Sequence, residues 1–331
     1  LAAGELRKRE RTLPFDVEIL AFGDEEGLRF PDASMGSRSL AEALPQGLLD
    51  VRDAAGVSVR DALAAFGLPP EPRLDALPCD PSELLGYLEV HIEQGPVLEA
   101  MGEPLGIVTT IAAAMRMRIS VAGAGGHAGT VPMEMRRDAL AAAAAMIVAV
   151  ERAALEMGEG VRATVGEIVL DSPAANAIPA AASFSLDLRA PADEVLARAR
   201  ATVVAELGRL ADRRGVEWEA RSEYEGTATV CDERLSDVFE EAAQREGRAA
   251  PRLASGAGHD AQSLAAITPV AMLFVRCRGG ISHLPEEYAE PEDIDAAVNV
   301  LVDAIIALGA EERPPAQGER AGSTVPGGRT N

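Results

Sequence analysis

The sequence predicts an α/β protein in which one α/β domain, assembled from two separate segments, carries a second domain inserted between them. Three observations predict it. Residues 16–22 (D-V-E-I-L-A-F) and 86–92 (G-Y-L-E-V-H-I) are short runs of strand type rich in apolar and β-branched residues. From residue 115 the pattern runs strand (115–124), helix (136–157), strand (161–170), strand (181–190), helix (193–213) and strand (216–224), the β-α-β-β-α-β order of the split βαβ unit. Beyond residue 226 an alternation of helix and strand resumes. The expected division is 1–109 with 227–310 for the discontinuous domain, 110–226 for the insert, and 311–331 for a disordered tail rich in Pro, Gly and charge.

Taken in order, the strand at 16–22 ends at an acidic pair, Glu25-Glu26, where open α/β sheets place their ligand sites. In 86–92, Leu88, Val90 and Ile92 fall on one face, and Tyr87, Glu89 and His91 on the other. The strand at 181–190 puts Phe184, Leu186 and Leu188 inward and Ser183, Ser185, Asp187 and Arg189 outward. After the insert come a helix (232–247), a loop (254–258), a helix opening near Asp260 with that residue as a possible N-cap, a strand (270–275), a glycine-rich loop and a helix (291–308).

Composition excludes several classes. Lys and Arg total 31 against 53 Asp and Glu, a formal net charge of -22, so the field of the molecule repels nucleic acid. A small anionic substrate needs a local arginine to work against that field. The cysteines Cys79, Cys231 and Cys277 are odd in number and in no C-x-x-C pair, which points away from a disulfide framework and fits a reducing cytoplasm. No run reaches the ~18 apolar residues of a membrane span, and the first residues lack a signal peptide's apolar centre.

Only four histidines are present, each within a stretch rich in glycine or acid: His91 in H-I-E-Q-G, His127 in G-G-H-A-G-T, His259 in G-A-G-H-D-A and His283 in G-G-I-S-H-L-P. With Glu25 and Glu26 they supply the nitrogen and oxygen donors of a metal-dependent hydrolase site. Adjacent carboxylates at a strand end project differently, so one can ligate an ion while the other faces the water it activates. Singly, each signal also reads blandly. His91 alone is a surface residue on a polar strand face, Gly279-Gly280 before His283 an ordinary tight turn, and His127 a loop histidine that could equally donate to an oxyanion. His259 reads as a satisfied loop histidine, Arg189 as a solvated strand residue and Asn176 as a plain loop residue.

Jointly, F-G-D-E-E-G-L-R-F, H-I-E-Q-G-P-V-L-E, G-G-H-A-G-T-V-P-M-E-M-R-R-D-A, N-A-I-P with F-S-L-D-L-R, S-G-A-G-H-D-A and M-L-F-V-R-C-R-G-G-I-S-H-L-P-E-E resemble the M20 peptidase-like amidohydrolases. More narrowly they resemble the branch holding allantoate amidohydrolase, N-carbamoyl-L-amino acid hydrolase and β-ureidopropionase, and M-L-F-V-R-C-R-G-G-I-S-H is most similar to the first. The resemblance implies a zinc-peptidase-like catalytic α/β domain and an inserted ferredoxin-like domain that forms a homodimer. It implies Glu25 as general base, Glu26 and His283 as ligands of one ion, His91 as ligand of the other, and His127 as a polarising group reaching the partner's site. Gln94, Asn176 and Arg189 would bind a small ureido carboxylate. The implied cofactor is a pair of divalent ions, manganese or zinc. The pattern also contains an earlier histidine and a bridging aspartate upstream of the acidic pair, and neither occurs here. The expectation is therefore a fragment of an active enzyme. The alternative is an inactive, metal-poor binding or dimerisation protein.

Overall fold

The structure is a computed structural model describing residues 1–9, 12–30, 33–42, 44–68, 80–171 and 173–311. The chain opens with helix α1 (Ala2–Lys8), α2 (Met35–Ala41) and α3 (Val59–Phe66), followed by strand β1 (Tyr87–Ile92), α4 (Val97–Met101) and β2 (Leu105–Ile111). A second group comprises β3 (Ala113–Ala122), β4 (Gly126–His127), α5 (Ala139–Met157), β5 (Arg162–Thr164), β6 (Ile168–Leu170), β7 (Ala177–Ile178), β8 (Ala181–Ala190), α6 (Asp193–Arg214) and β9 (Glu217–Gly226). The chain then returns through β10 (Thr229–Val230), α7 (Glu233–Arg245), β11 (Arg252–Ser255), α8 (Asp260–Leu264), β12 (Val270–Val275) and α9 (Pro291–Glu311).

Two sheets result. The first runs β1-β12-β2-β10 with β11 also on β2; β1 lies parallel to β12, and His91 is in register with Phe274. Because β12 is fully buried, its residues read as a continuous apolar run, Val-Ala-Met-Leu-Phe-Val. One face is covered by α7 and α9 through Leu235, Phe239, Ala296 and Val300; the other carries Leu98, Ala261 and Leu264 from α4 and α8. The second sheet, β5-β8-β3-β9 with β6 on β8, is antiparallel. Its strict inward alternation, Met115, Met117 and Ile119 facing Phe184, Leu186 and Leu188, packs under α5 and α6. Asp138 caps α5 by accepting from Ala141 N at 2.9 Å, and Gly215 ends α6 in the left-handed region at φ 63°.

Several expectations need correction. Residues 16–22 form no strand. Among the described residues β1 pairs only with β12, and Val17, Ile19 and Leu20 remain exposed, so an apolar run without a ladder partner stays irregular. Residues 161–170 split in two because the Ser185 hydroxyl accepts from Gly166 N and Glu167 N, at 3.2 and 3.0 Å, where a strand would place backbone. The N-cap of α8 is His259, not Asp260, and β11 occupies part of the expected loop at 254–258. Of the expected tail, Glu311 closes α9; 312–331 lie outside the described residues, as does Cys79. Cys231 and Cys277 are buried free thiols, and no described helix is long and apolar enough to cross a membrane.

Candidate active site

The acidic pair is displayed by a turn that Asp24 builds. Asp24 sits at φ 55°, and its carboxylate accepts from Arg29 N at 2.9 Å and Phe30 N at 3.0 Å. Gly27, at φ 67°, closes the turn, and a Cβ there would lie 3.0 Å from the Phe30 carbonyl oxygen. Glu25 and Glu26 are thereby left free of the turn's own hydrogen bonding at their side chains.

Two other loops converge on Glu26. Gln94, also left-handed at φ 55°, follows β1 and donates from Nε2 to Glu26 Oε1 at 2.9 Å. His283, left-handed at φ 59°, brings Nε2 to 3.3 Å from the same oxygen. Their loops are docked tightly, since a Cβ on Gly280 would stand 2.7 Å from Pro96 N. Three of the five non-glycine residues with positive φ among the described residues are thus Asp24, Gln94 and His283, the concentration of backbone strain that functional sites carry.

A second cluster lies behind the first. His91 donates from Nδ1 to the Ile92 carbonyl at 2.7 Å and packs edge-on against His259, ring centroids 4.6 Å apart. His259 is buried, Nε2 2.6 Å from the Ser255 hydroxyl and Nδ1 without a hydrogen-bond partner. Glu89 Oε2 accepts from Ala261 N at 2.9 Å, while Oε1 stands 3.8 Å from His259 Nδ1. Ligating atoms of Glu89, His91 and His259 all fall within 4.8 Å of one another. Sequence reasoning missed Glu89 and Asp260. The alternation that puts Glu89 on the His91 face of β1 was the available signal.

The electrostatics link the clusters. Burial, reinforced by Asp260 and Glu26, pushes the Glu25 carboxyl up to about 7. Burial likewise raises Glu89 to about 7, with Asp260 and Glu25 adding to it, and raises Asp260, whose carboxylate is tempered by Ser37 and His91. Burial and neighbouring His91 lower His259 to about 3, so its imidazole is neutral at pH 7. Crowded carboxyls beside a neutral, buried imidazole are a cation's environment. An orphaned, buried His259 nitrogen fits the same chemistry.

The remaining expected residues lie on the second sheet's side. His127 pairs across β4–β7 with Ala177, next to Asn176, whose carbonyl accepts from Ala128 N at 3.0 Å. His127 is exposed, its Nδ1 accepting from Gly129 N at 3.1 Å. These two are brought to each other, with no hydrogen bond or ion pair to Glu25, Glu26, His91 or His283 among the described residues. Arg189 grips Asp187 through Nε and Nη2, at 2.8 and 3.2 Å, and donates from Nη1 to the Gly256 carbonyl at 2.7 Å. It therefore ties the second sheet to the loop leading into His259.

A probable allantoate deiminase of Oryza sativa subsp. japonica is 39% identical over 330 residues, covering 90% of this chain and 66% of that protein. An N-carbamoyl-L-amino acid amidohydrolase of Geobacillus stearothermophilus is 38% identical over 296 residues, covering 89% and 72%. A hydantoinase/carbamoylase family amidase from Burkholderia multivorans superposes with a TM-score of 0.85 at 32% identity, over 92% of this chain and 74% of that one. The chain spans just under two thirds of the length of the plant relatives it matches. Since the model of Peptidase family M20/M25/M40 also matches continuously over residues 1–307, taking in both sheets and every loop of the site, this chain belongs to that family.

Proposed function

We propose that the chain serves metal-dependent hydrolysis of a ureido C–N bond in a small carboxylate substrate, allantoate, with release of ammonia. The observation that carries the reading is the meeting of three distant segments at Glu26, with Gln94 at 2.9 Å and His283 at 3.3 Å, beside the half-buried Glu25 carboxyl. Glu26 and His283 would hold one divalent ion and His91 would belong to a second; zinc and manganese both suit this donor set. Such ions, when bound, supply Lewis acidity to the ureido carbonyl and to an attacking water.

The chain's own residues do the rest. Glu25 removes the proton from the attacking water and returns it to the leaving nitrogen, a role suited to a carboxyl whose surroundings set it near neutrality. Arg189, by exchange with Asp187, and Asn176 hold the substrate carboxylate, and Gln94 contacts the substrate. His127, exposed on the second group of elements, polarises the scissile carbonyl in the partner subunit of a homodimer. Two buried free thiols are in keeping with a cytoplasmic protein.

Glu25→Gln should leave metal content unchanged and lower kcat by 10³-fold or more, on the order expected when a base is lost with its hydroxide-generating role. Unchanged turnover removes Glu25 from the mechanism. A second reading, an N-carbamoyl-L-amino acid hydrolase, is favoured by the 38% identity to such an enzyme. Ammonia release from allantoate and from N-carbamoyl amino acids, compared side by side, separates the two.

A further inference from the structure

We propose that Arg136 is a positioning residue for His127, holding the loop that presents its imidazole as an Nε2–H donor. What fixes the ring is a backbone amide. His127 Nδ1 accepts from Gly129 N at 3.1 Å, and while that nitrogen accepts, the proton of the neutral ring is on Nε2. The ring is otherwise exposed, so this amide is what sets its tautomer. Thr130 N and Val131 N both turn back to the His127 carbonyl, at 3.2 and 3.3 Å, so residues 127–131 form a tight loop around the histidine.

Arg136 closes that loop from outside. Its Nη2 donates to the Ala128 carbonyl at 2.6 Å and its Nε to the Val131 carbonyl at 3.1 Å, the residues on either side of Gly129 and Thr130. One edge of a planar guanidinium thus spans two separate carbonyls; a lysine ammonium, a point charge on a flexible stem, has no such edge. Among the described residues no carboxylate pairs with this guanidinium, in contrast to Arg189 on Asp187. The clamp is itself anchored on regular elements. Ala124 N, just past β3, donates to the Arg137 carbonyl at 2.7 Å, and Asp138 caps α5. A Cβ on Gly123 would stand 2.0 Å from that Arg137 oxygen, so the two backbones are in direct contact. With Nδ1 held, Nε2 is the nitrogen left to donate to a developing oxyanion. Releasing the Ala128 and Val131 carbonyls frees the Gly129 amide to move, and the ring then exchanges between tautomers, only one of which donates from Nε2.

The inference rests on the role given to His127 above, and its test reads the ring itself. In the full chain labelled with ¹⁵N-histidine at about pH 8, above the ordinary histidine range, His127 is assigned by the loss of its signals in His127→Gln. It should show a protonated Nε2 and an acceptor Nδ1. Arg136→Ala should bring the two resonances towards each other as the tautomers mix, and Arg136→Lys should do so in part. On the ureido substrate, kcat should fall about 100-fold in Arg136→Ala and about 10-fold in Arg136→Lys with KM within about 3-fold, because a misplaced group that acts in the transition state lowers turnover more than binding. Free guanidinium ion at millimolar concentration should restore part of the turnover of Arg136→Ala and none of that of His127→Gln. Ring signals in Arg136→Ala identical to those of the wild type overturn the role, as does a wild-type ring protonated on Nδ1, or a raised KM with unchanged kcat. Wild-type turnover in His127→Gln, or no ureido hydrolysis at all, sinks the reading of His127 instead, and the ring spectra then decide alone whether Arg136 holds it. If Arg136→Ala fails to fold by circular dichroism, Arg136→Lys and the wild-type tautomer decide.

Discussion

Glu25 and Glu89 are carboxyls whose protonated form the fold favours. Burial is the leading cause at both, raising each from the ordinary 4.5 to about 7. The Glu25 charge adds to the rise at Glu89. The sign for stability follows. Below pH 4.5 both folded and unfolded chains hold these protons and no penalty arises. Between 4.5 and 7 the unfolded chain has released them while the folded chain has not, so stability falls as pH rises through this window. The metal-free chain should lose about 1–2 kcal/mol through Glu89 and less through the more solvated Glu25. The measurement is the melting temperature at pH 4.5 and 7.5 for the wild type and for Glu25→Gln with Glu89→Gln. The double variant should show the shallower decline, and parallel curves would show that these carboxyls carry no such strain.

At the level of elements, the site depends on loops whose conformations no regular strand or helix supplies. Gly280 illustrates this. Its φ of 63° and the 2.7 Å approach to Pro96 N leave no room for a side chain between the Gln94 and His283 loops. Gly280→Ala should cost about 2 kcal/mol, combining left-handed strain with overpacking, and should part His283 from Glu26. A melting temperature within 1 °C of the wild type, roughly 0.7 kcal/mol or less for a chain of this size, would contradict that close docking. These features also mark how far the sequence could be read. Strands with a partner on each side, such as β8 and β12, showed their bounds in their apolar pattern, because burial on defined faces writes that pattern. The run at 16–22 carried the same pattern without a neighbour to pair with, and periodicity does not encode the neighbour. Of the site, the acidic pair and the glycine-flanked His283 were legible from residue type. Glu89 looked like one polar strand residue among others, and His259 like a satisfied loop residue. Their meeting is a product of the start of α8 packing on β1, where Ala261 N donates to Glu89, and no local spacing records it.

Across the whole molecule, a net charge of -22 opposes the approach of any carboxylate, while Arg189 sits where the second sheet meets the loop before His259. Its guanidinium is shared between Asp187 and the Gly256 carbonyl, so it joins the two sheets and offers the local positive charge the global field lacks. The two effects have different ranges, and salt separates them. At about 0.01 M ionic strength the Debye length is roughly 30 Å and the whole acidic surface is felt; at 0.15 M it is about 8 Å and only near charges act. Raising salt across this interval should therefore increase kcat/KM for a carboxylate substrate by relieving the long-range repulsion. In Arg189→Ala the short-range attraction is gone, so kcat/KM should be lower at every salt concentration, yet climb more steeply between the two limits. An uncharged ureido analogue should show neither slope. If salt depresses kcat/KM in the wild type and leaves Arg189→Ala flat, attraction by local arginines outweighs the net charge at every distance, and Arg189 is the dominant electrostatic group for substrate capture instead of a correction to the field.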